Sequence, residues 1–154
     1  MKINYQLVKP GDKQTIDLIA NWYVSEWNIP KEITIQKLSH FPDQGFPFQV
    51  LMTIDDIPVA TGGIYEHVAL LDREPKFKVY KPWLALVYTI PDNRNKGYGA
   101  LLCEKIQGMA KDRGLKEIFL FTHTAESLYR RLGWEQLERI EIGEKNIVVM
   151  KKQL

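Results

Sequence analysis

The stretch from Trp83 to Arg113 constrains the fold of this chain more than any other. Its first part, up to Ile90, is rich in aromatic and β-branched residues, a composition typical of a buried strand. A Pro-Asp-Asn turn ends the strand. A loop containing Gly97 and Gly99 follows and leads directly into an amphipathic helix that extends to about Arg113. The sequence therefore predicts a strand, a glycine loop and a helix in immediate succession.

This loop has the chemistry of a phosphate site. The first N–H groups of a helix lack partners within the helix and lie at the positive end of its dipole. Gly97 and Gly99 carry no Cβ that would hold a ligand away from these groups, and Arg94 and Lys96 add positive charge. A tight turn without a ligand is an equally good interpretation of the glycines alone. The spacing excludes the Walker-type triphosphate loop and the three-glycine dinucleotide fingerprint.

Two segments resemble the GNAT superfamily of N-acetyltransferases. The run Arg94-Asn95-Lys96-Gly97-Tyr98-Gly99-Ala100 resembles the R-x-x-G-x-G signature for acyl-coenzyme A in that family. The run from Ala125 to Trp134, which includes Tyr129 and Gly133, resembles its A-x-x-x-Y-x-x-x-G-[FW] segment. A helix and a strand separate the two segments, as in the family. The resemblance extends over the whole chain.

The resemblance implies an α/β fold of mixed α+β type, the GNAT-like fold, for a single domain over residues 1–154. Such a fold has a central, mostly antiparallel sheet of about seven strands flanked by about four helices. Two central strands splay apart, and the cofactor enters the gap between them. The apolar periodicity along the chain predicts the same order of elements, which is β, α, α, β, β, β, α, β, α, β, β.

Local signals predict several boundaries. Asp12 predicts the N-cap of a helix from Thr15 to Trp27, and Thr34 predicts the cap of a short second helix. Gly62 and Gly63 lie inside a predicted strand and indicate a bulge or the close approach of another backbone. Residues 70–81 are locally basic and least like the family. We expect solvated surface there, with contact to an acidic acceptor as the alternative.

The resemblance also implies that acetyl-CoA is the co-substrate and that no metal takes part. Backbone groups of Val87, Tyr88 and Thr89 would pair with the pantetheine arm. The pyrophosphate would lie against the loop, which comprises Arg94, Asn95, Lys96, Gly97, Tyr98, Gly99 and Ala100. Many family members have an asparagine where this chain has Thr122, so the resemblance implies that a hydroxyl replaces its contact with the cofactor arm.

An acetyl thioester is already activated, so the resemblance implies direct attack by a primary amine in a ternary complex. A lysine-like amine has a pKa of about 10.4, and reaching its neutral form at pH 7 costs about 4.6 kcal/mol. Glu66 and Asp72 are the first candidates for the base that helps, or for acceptor contacts, ahead of His67 and His123. Tyr129 matches the family's tyrosine, which implies a general acid for the departing thiolate. Packing, or a hydrogen bond to the sulfur without proton transfer, is the alternative.

Aromatic residues provide candidates for the acceptor cleft. Trp22 and Trp27 lie on the predicted first helix, where packing against the sheet is the first expectation and lining a cleft the alternative. Together with Pro82-Trp83, this helix resembles a subgroup of small bacterial-type GNAT proteins. We therefore take Trp22, Trp27 and Trp83 as candidate substrate contacts. A small-molecule amine is favoured as acceptor over a protein N-terminus or a lysine.

Composition indicates which classes of partner and which covalent links to expect. A net charge of +2 over 154 residues does not indicate nucleic-acid binding. No apolar run resembles a signal peptide or approaches the length of a membrane span, so a cytoplasmic protein without membrane contact is expected. The single Cys103 excludes an internal disulfide and is expected to be a small core residue. A monomer and a homodimer are both open.

Two other functions remain open. A GNAT-like domain can bind acyl-CoA as a sensor or interaction module without turnover. Tyr129 favours an enzyme, whereas the lack of a base would favour the module. A nucleotide-binding module built on the glycine loop is the third possibility, and the missing Walker lysine–serine pair argues against it.

Overall fold

The computed structural model describes the whole chain, residues 1–154. The strands are β1 (Ile3–Leu7), β2 (Phe48–Ile54), β3 (Ile57–Tyr65), β4 (Trp83–Thr89), β5 (Glu117–Thr122), β6 (Glu135–Ile142) and β7 (Lys145–Gln153). The helices are α1 (Lys13–Trp27), α2 (Lys31–Leu38), α3 (Leu70–Arg73), α4 (Tyr98–Asp112) and α5 (Glu126–Arg131). Short 3-10 turns, Pro75–Val79 and Pro91–Asn93, precede β4 and α4. None of the helices combines the length and the apolar character needed to span a bilayer.

All seven strands form one open sheet in the order β1-β2-β3-β4-β5-β7-β6. Neighbouring strands are antiparallel except for β4 and β5, which run parallel. This arrangement confirms the predicted mixed α/β fold with a mostly antiparallel sheet. The one additional helix, α3, lies in the segment for which no regular element was predicted.

Helices cover both faces of the sheet. Leu102, Ile106 and Ala110 of α4 belong to the largest buried cluster, together with apolar side chains from most of the strands. Ile19 and Tyr23 of α1 belong to another cluster on the other face. The spacing of these residues is that of one apolar stripe on each helix. The sheet is thus fixed from both sides, which sets the positions of the loops that follow β4 and β5.

A bulge interrupts β4 at its centre. In the ladder between β3 and β4, Thr61 pairs with Tyr88 and Gly63 pairs with Ala85. Gly62 of β3 therefore faces two residues of β4, Leu86 and Val87. Leu86 has a φ of 57°, which is the left-handed region that side chains other than glycine rarely adopt. A Cβ on Gly62 would lie only 3.1 Å from Cγ2 of Val87. The predicted bulge or close approach at the glycine pair is therefore confirmed, with the extra residue in the neighbouring strand.

Residues 70–81 form a strap rather than a wholly solvated surface. Phe77 is fully buried, and the Tyr80 ring stacks on Phe119 at 5.0 Å between centroids. The Tyr80 hydroxyl donates to the Glu138 carboxylate at 2.8 Å, and Lys76 Nζ lies 3.6 Å from the same carboxylate. The basic side chains are exposed as expected, but apolar residues between them hold the segment against β5 and β6.

Two predicted caps have opposite outcomes. Asp12 caps α1 as predicted, since its Oδ1 accepts from the Thr15 backbone N–H at 3.2 Å. The prediction that Thr34 caps the second helix is wrong. The helix α2 begins at Lys31, directly after Pro30, and Thr34 is a buried residue inside it. Proline is suited to a helix start because its φ is already near the helical value and it has no N–H that needs a partner.

Candidate active site

The central feature of the site is a gap between β4 and β5. The two strands pair only at Trp83 and Phe119, although β4 continues to Thr89 and β5 to Thr122. The β4 bulge lies just beyond this pair, and a bulge bends its strand and increases the local twist. Beyond the pair, the facing edges of the two strands are free of ladder partners on that side. Such edges can pair with an extended ligand.

The glycine loop lies at the open end of β4, at the start of α4. Gly97 occupies the N-cap position with a φ of 83°, and no side chain caps the helix. A Cβ on Gly99 would have only Thr89 Oγ1 within 4 Å, at 3.8 Å. The first N–H groups of the helix therefore point into uncrowded space and carry the positive end of the dipole. This cradle fits a phosphate group on its own geometry.

The guanidinium of Arg94 is occupied by contacts within the protein. Its Nε donates to the Thr89 carbonyl at 2.8 Å, and its terminal nitrogen lies 3.0 Å from the Glu26 carboxylate of α1. It also lies over the Tyr88 ring, 5.4 Å from the centroid. Arg94 thus ties the end of β4 to α1 and orders the start of the loop. Lys96 forms no ion pair and contributes the unmatched positive charge of the loop.

Tyr129 lies on α5, and its side chain packs toward α4; these helices follow β5 and β4. It packs on the main core cluster and contacts Trp134 edge to face at 5.9 Å. Its hydroxyl lies beside the Cys103 thiol of α4. Burial, together with the nearby thiol, holds the pKa of Tyr129 well above its usual value, so the phenol stays protonated at neutral pH. The same burial raises the pKa of the Cys103 thiol to about 11.

Cys103 itself is a buried core residue, as the helix periodicity predicted. A thiol with a raised pKa is not present as the reactive thiolate at neutral pH. Its place in the site is therefore to pack beneath Tyr129.

Thr122, at the end of β5, holds the start of α5. Its Oγ1 accepts from the Ala125 backbone N–H at 3.1 Å. A hydroxyl can still accept a second hydrogen bond or donate its own hydrogen, so this contact does not use up its capacity. Thr122 and Thr89 thus stand at the open ends of the two diverging strands.

Two of the candidate bases, Glu66 and Asp72, lie at the other end of the gap, near the point where β4 and β5 are paired. Glu66 follows β3 directly, is exposed, and makes no side-chain hydrogen bond or ion pair. Asp72 is also exposed and lies 3.2 Å from Nε2 of His67. The carboxylate of Asp72 can orient the imidazole of His67, but neither group is buried. His123 is exposed in the turn after β5.

The three tryptophans chosen from the sequence have different environments. Trp22 and Trp27 of α1 stand beside the buried Tyr88 of β4, with ring centroids at 5.5 and 6.1 Å, and Trp27 is 43% exposed. These two remain candidates for substrate contact. Trp83 is fully buried, and its Nε1 donates to the Tyr80 carbonyl at 2.9 Å. Trp83 is therefore a core residue rather than a substrate contact.

A small cavity adjoins the β4 bulge on the α1 and α2 side. It has a volume of about 30 Å³ and is lined by Leu86, Tyr23, Tyr65, Lys37 and four further residues of the α1–α2 region. Lys37 is its only charged residue, and no carboxylate lines it. We call this space the bulge cavity.

Sequence reasoning missed a buried polar network beneath this cavity. Gln49 of β2 donates from Nε2 to the Tyr23 hydroxyl at 2.9 Å and to Thr61 Oγ1 at 2.8 Å, and its Oε1 accepts from the Tyr65 hydroxyl. Tyr23 in turn donates to the Leu86 carbonyl at 2.6 Å. The available signal was a glutamine and a threonine at core positions of apolar strands, since buried polar groups require partners.

Comparison with known sequences identifies a family. The sequence model described as "Acetyltransferase (GNAT) family" matches residues 13–134. A search of curated proteins finds no match.

Solved structures with the same fold cover almost the entire chain. An acetyltransferase of the GNAT family from Streptococcus pneumoniae is 16% identical, with a TM-score of 0.74 and coverage of 99% of both chains. An aminoglycoside 6′-N-acetyltransferase complexed with coenzyme A is 13% identical, with a TM-score of 0.72 and coverage of 99% of this chain and 97% of the other. An N-acetylglutamate synthase from Neisseria gonorrhoeae, complexed with coenzyme A and N-acetyl-glutamate, is 14% identical with a TM-score of 0.67. It is matched over 100% of this chain and 35% of its own.

The glycine loop generates a prediction about coenzyme A binding. Replacing Gly97 by alanine forces a side chain into the left-handed region, which costs about 1–2 kcal/mol, so the backbone N–H groups of the loop should shift. We expect the dissociation constant of coenzyme A, measured by calorimetry, to rise about tenfold, because 1.4 kcal/mol corresponds to a factor of ten.

Gly108→Ala is the matched control, since Gly108 lies within the same helix and a Cβ added there would enter open space. Alanine should there stabilise the protein by about 0.5–1 kcal/mol without changing coenzyme A affinity. Equal affinity in Gly97→Ala and the wild-type protein would rule out the loop as the phosphate site.

Proposed function

The chain belongs to the GNAT family of acetyltransferases, and on that premise we propose that it transfers an acetyl group from acetyl-CoA to the primary amine of a small molecule. The observation that carries the proposal is the divergence of β4 and β5 toward the uncapped N-terminus of α4. An extended strand edge and a phosphate cradle lie in one continuous path. Acetyl-CoA has the matching parts, an extended amide-containing arm and a pyrophosphate.

The main chain performs most of the binding in this proposal. The backbone groups of Val87, Tyr88 and Thr89 lie along the β4 side of the gap and pair with the amides of the pantetheine arm. The loop from Asn95 to Ala100 holds the pyrophosphate through N–H groups, with Lys96 adding charge. Arg94 acts by holding the start of the loop against α1. Thr122 lines the β5 side.

Acetyl-CoA supplies an activated thioester, so no covalent intermediate on the enzyme is required. The protein's task is to place an amine nitrogen against the bound acetyl group in a ternary complex, which removes the entropic cost of their encounter. The enzyme must also move one proton off the amine and one onto the departing sulfur.

Tyr129 serves the sulfur in this mechanism. Its protonated hydroxyl lies between the two helices that follow the diverging strands. Burial raises the pKa of the phenol, but it also raises the pKa of a thiol at the same place, as Cys103 illustrates with a pKa of about 11. Burial disfavours the departing thiolate as well as the ionised form of Tyr129. A hydrogen bond or a proton from Tyr129 therefore stabilises the departing sulfur.

Glu66 and Asp72 are proposed as the groups that accept the amine proton or contact the acceptor. Both are exposed, and Glu66 directly follows Tyr65, which pairs with Trp83 at the end of β4 that is still paired with β5. An exposed carboxylate can take a proton from a bound amine through a water molecule. Their exposure is also the observation that favours the second candidate function, an acyl-CoA sensor or interaction module without turnover.

The bulge cavity can take one small group of an acceptor rather than a whole ligand. Its volume of about 30 Å³ is far below the usual range for drug-sized ligands, about 300–1,000 Å³. A polycationic acceptor requires carboxylates close to its other ammonium groups, and none lines this space. Lys37 at the cavity further disfavours polycations and suits a substrate with a carboxylate.

Ligand binding and turnover test the proposed function directly. At about 100 times their dissociation constants, acetyl-CoA and coenzyme A should each stabilise the protein by about 2.7 kcal/mol, or about 5–10 °C in melting temperature. ATP should cause no comparable shift. Release of free thiol from acetyl-CoA, measured with a panel of primary amines, should then identify an acceptor. Absence of a shift with millimolar acetyl-CoA would remove the basis of the proposal, and binding without thiol release would establish the non-catalytic module instead.

The acid role of Tyr129 predicts a specific kinetic defect. We expect Tyr129→Phe to lower kcat at least tenfold, while the dissociation constant of acetyl-CoA stays within about twofold. Because the raised pKa keeps the phenol protonated, the defect should be constant between pH 6 and pH 9 rather than appear on one limb of the profile. Tyr80→Phe, which removes a hydroxyl from the strap, should leave kcat unchanged. A loss well below tenfold in Tyr129→Phe would show that Tyr129 only packs.

The charge of the bulge cavity predicts acceptor preference. Compact apolar amines, and those with a carboxylate, should have higher kcat/KM than polyamines or aminoglycosides. Lys37→Glu should raise kcat/KM for a polyamine by a factor of about 1.5–5, the range expected from exposed charge pairs of about 0.2–1 kcal/mol. Lys145→Glu, in an exposed position at the start of β7, should have no such effect. Equal responses of the two variants would place the acceptor elsewhere.

A further inference from the structure

A buried tyrosine holds the one residue of β4 that has left-handed backbone geometry. Tyr23 of α1 is fully buried, and its hydroxyl donates to the Leu86 carbonyl at 2.6 Å. Leu86 is the residue with a φ of 57° at the bulge. This hydrogen bond therefore connects α1 to the point where β4 turns away from β5.

The direction of this hydrogen bond is fixed by the network behind it. Gln49 Nε2 donates to the Tyr23 hydroxyl at 2.9 Å, so the phenol oxygen acts there as an acceptor. Its single hydrogen is then free for the Leu86 carbonyl. The orientation of the Gln49 amide is itself set, because its Oε1 accepts from the Tyr65 hydroxyl. A satisfied buried network of this kind holds its members in one arrangement.

Leu86 needs an external partner because its own backbone preference is unfavourable. A residue with a Cβ pays an energetic cost in the left-handed region, and such geometry persists only where the surrounding structure fixes it. Gly62 opposite leaves room for the bulge, since a Cβ there would lie only 3.1 Å from Cγ2 of Val87. The Tyr23 hydroxyl donates the hydrogen bond that holds the Leu86 carbonyl.

From this arrangement we propose that Tyr23 is a positioning residue, whose hydroxyl keeps the β4 bulge in the geometry that directs the backbone of Val87 toward the acyl-carrying end of the pantetheine arm. The inference rests on the proposed function, since it takes the gap as the acyl-CoA site. Val87 follows Leu86 directly and is the first residue proposed to pair with the pantetheine arm. Leu86 also lines the bulge cavity, so one hydrogen bond sets both sides of the reaction centre.

The network contains a closely matched control for Tyr23, which is Thr61. Each hydroxyl accepts from the same amide nitrogen of Gln49, at 2.9 and 2.8 Å. Each is fully buried and donates to one backbone carbonyl. Tyr23 donates to the Leu86 carbonyl, and Thr61 donates to the Val50 carbonyl at 2.8 Å. Tyr23→Phe and Thr61→Val thus remove equivalent groups, but only the first removes a contact with the bulge.

The test compares these two variants at a temperature where circular dichroism shows both to be folded. Tyr23→Phe should lower kcat about tenfold or more, with a smaller rise in the dissociation constant of free coenzyme A, because the phosphate loop is anchored separately. Thr61→Val should retain kcat within about twofold despite a similar fall in melting temperature. Hydrogen exchange of residues 84–90 should accelerate about tenfold in Tyr23→Phe and remain near the wild-type rate in Thr61→Val.

A substitution at Leu86 supplies a rescue test. Glycine adopts the left-handed region without the cost that leucine pays, so the bulge should depend less on Tyr23 when residue 86 is glycine. Adding Tyr23→Phe to Leu86→Gly should lower kcat by less than about threefold, compared with about tenfold in the wild-type background. The double-mutant cycle thus separates support of the bulge from general packing.

Two results would overturn the inference. One is an equal effect of Tyr23→Phe and Thr61→Val on kcat and on exchange of residues 84–90, which would assign the whole network to stability. The other is an undiminished loss in the Leu86→Gly background. If the wild-type protein releases no thiol with any amine, the proposed enzyme function fails, and hydrogen exchange still decides whether Tyr23 holds the bulge.

Discussion

The site depends on the fact that two parallel neighbours in an otherwise antiparallel sheet stay paired at one position only. The ladder between β4 and β5 consists of Trp83 and Phe119. Both residues are buried in an aromatic cluster that the strap residues Phe77 and Tyr80 complete. Beyond this fixed point the strands separate, and each is followed by a helix whose start borders the opening. This aromatic cluster therefore fixes the closed end of the gap, and loosening it would move both β4 and β5.

Much of this architecture was predictable because it depends on strong local signals. The apolar segment, the proline turn and the two glycines predict a strand, a loop and α4 in that order, and these are found within one or two residues of the expected bounds. Asp12 and the positive-φ glycines at helix ends act over a few residues, so they are visible in the sequence. The burial of Cys103 follows from helical periodicity in the same way.

What the sequence did not reveal arises from contacts between distant segments. Nothing near Leu86 marks it for a left-handed φ, because the cause is Tyr23, 63 residues earlier in the chain. Trp83 was a reasonable cleft residue by composition, yet its burial depends on Phe77 and Phe119. Thr34 has the residue type of a cap, but Pro30 starts the helix one turn earlier. In each case a tertiary contact or a neighbouring residue outweighs the intrinsic preference.

The engagement of Arg94 by Glu26 has a consequence for how this loop evolves and how it responds to salt. With that guanidinium already matched, the attraction for a polyanionic ligand comes from Lys96 and from peptide dipoles that no substitution of a side chain removes. Binding should therefore vary only weakly with ionic strength, since few mobile charges are screened. In the proposed function, recognition by main-chain geometry also leaves the side chains of the loop free to vary.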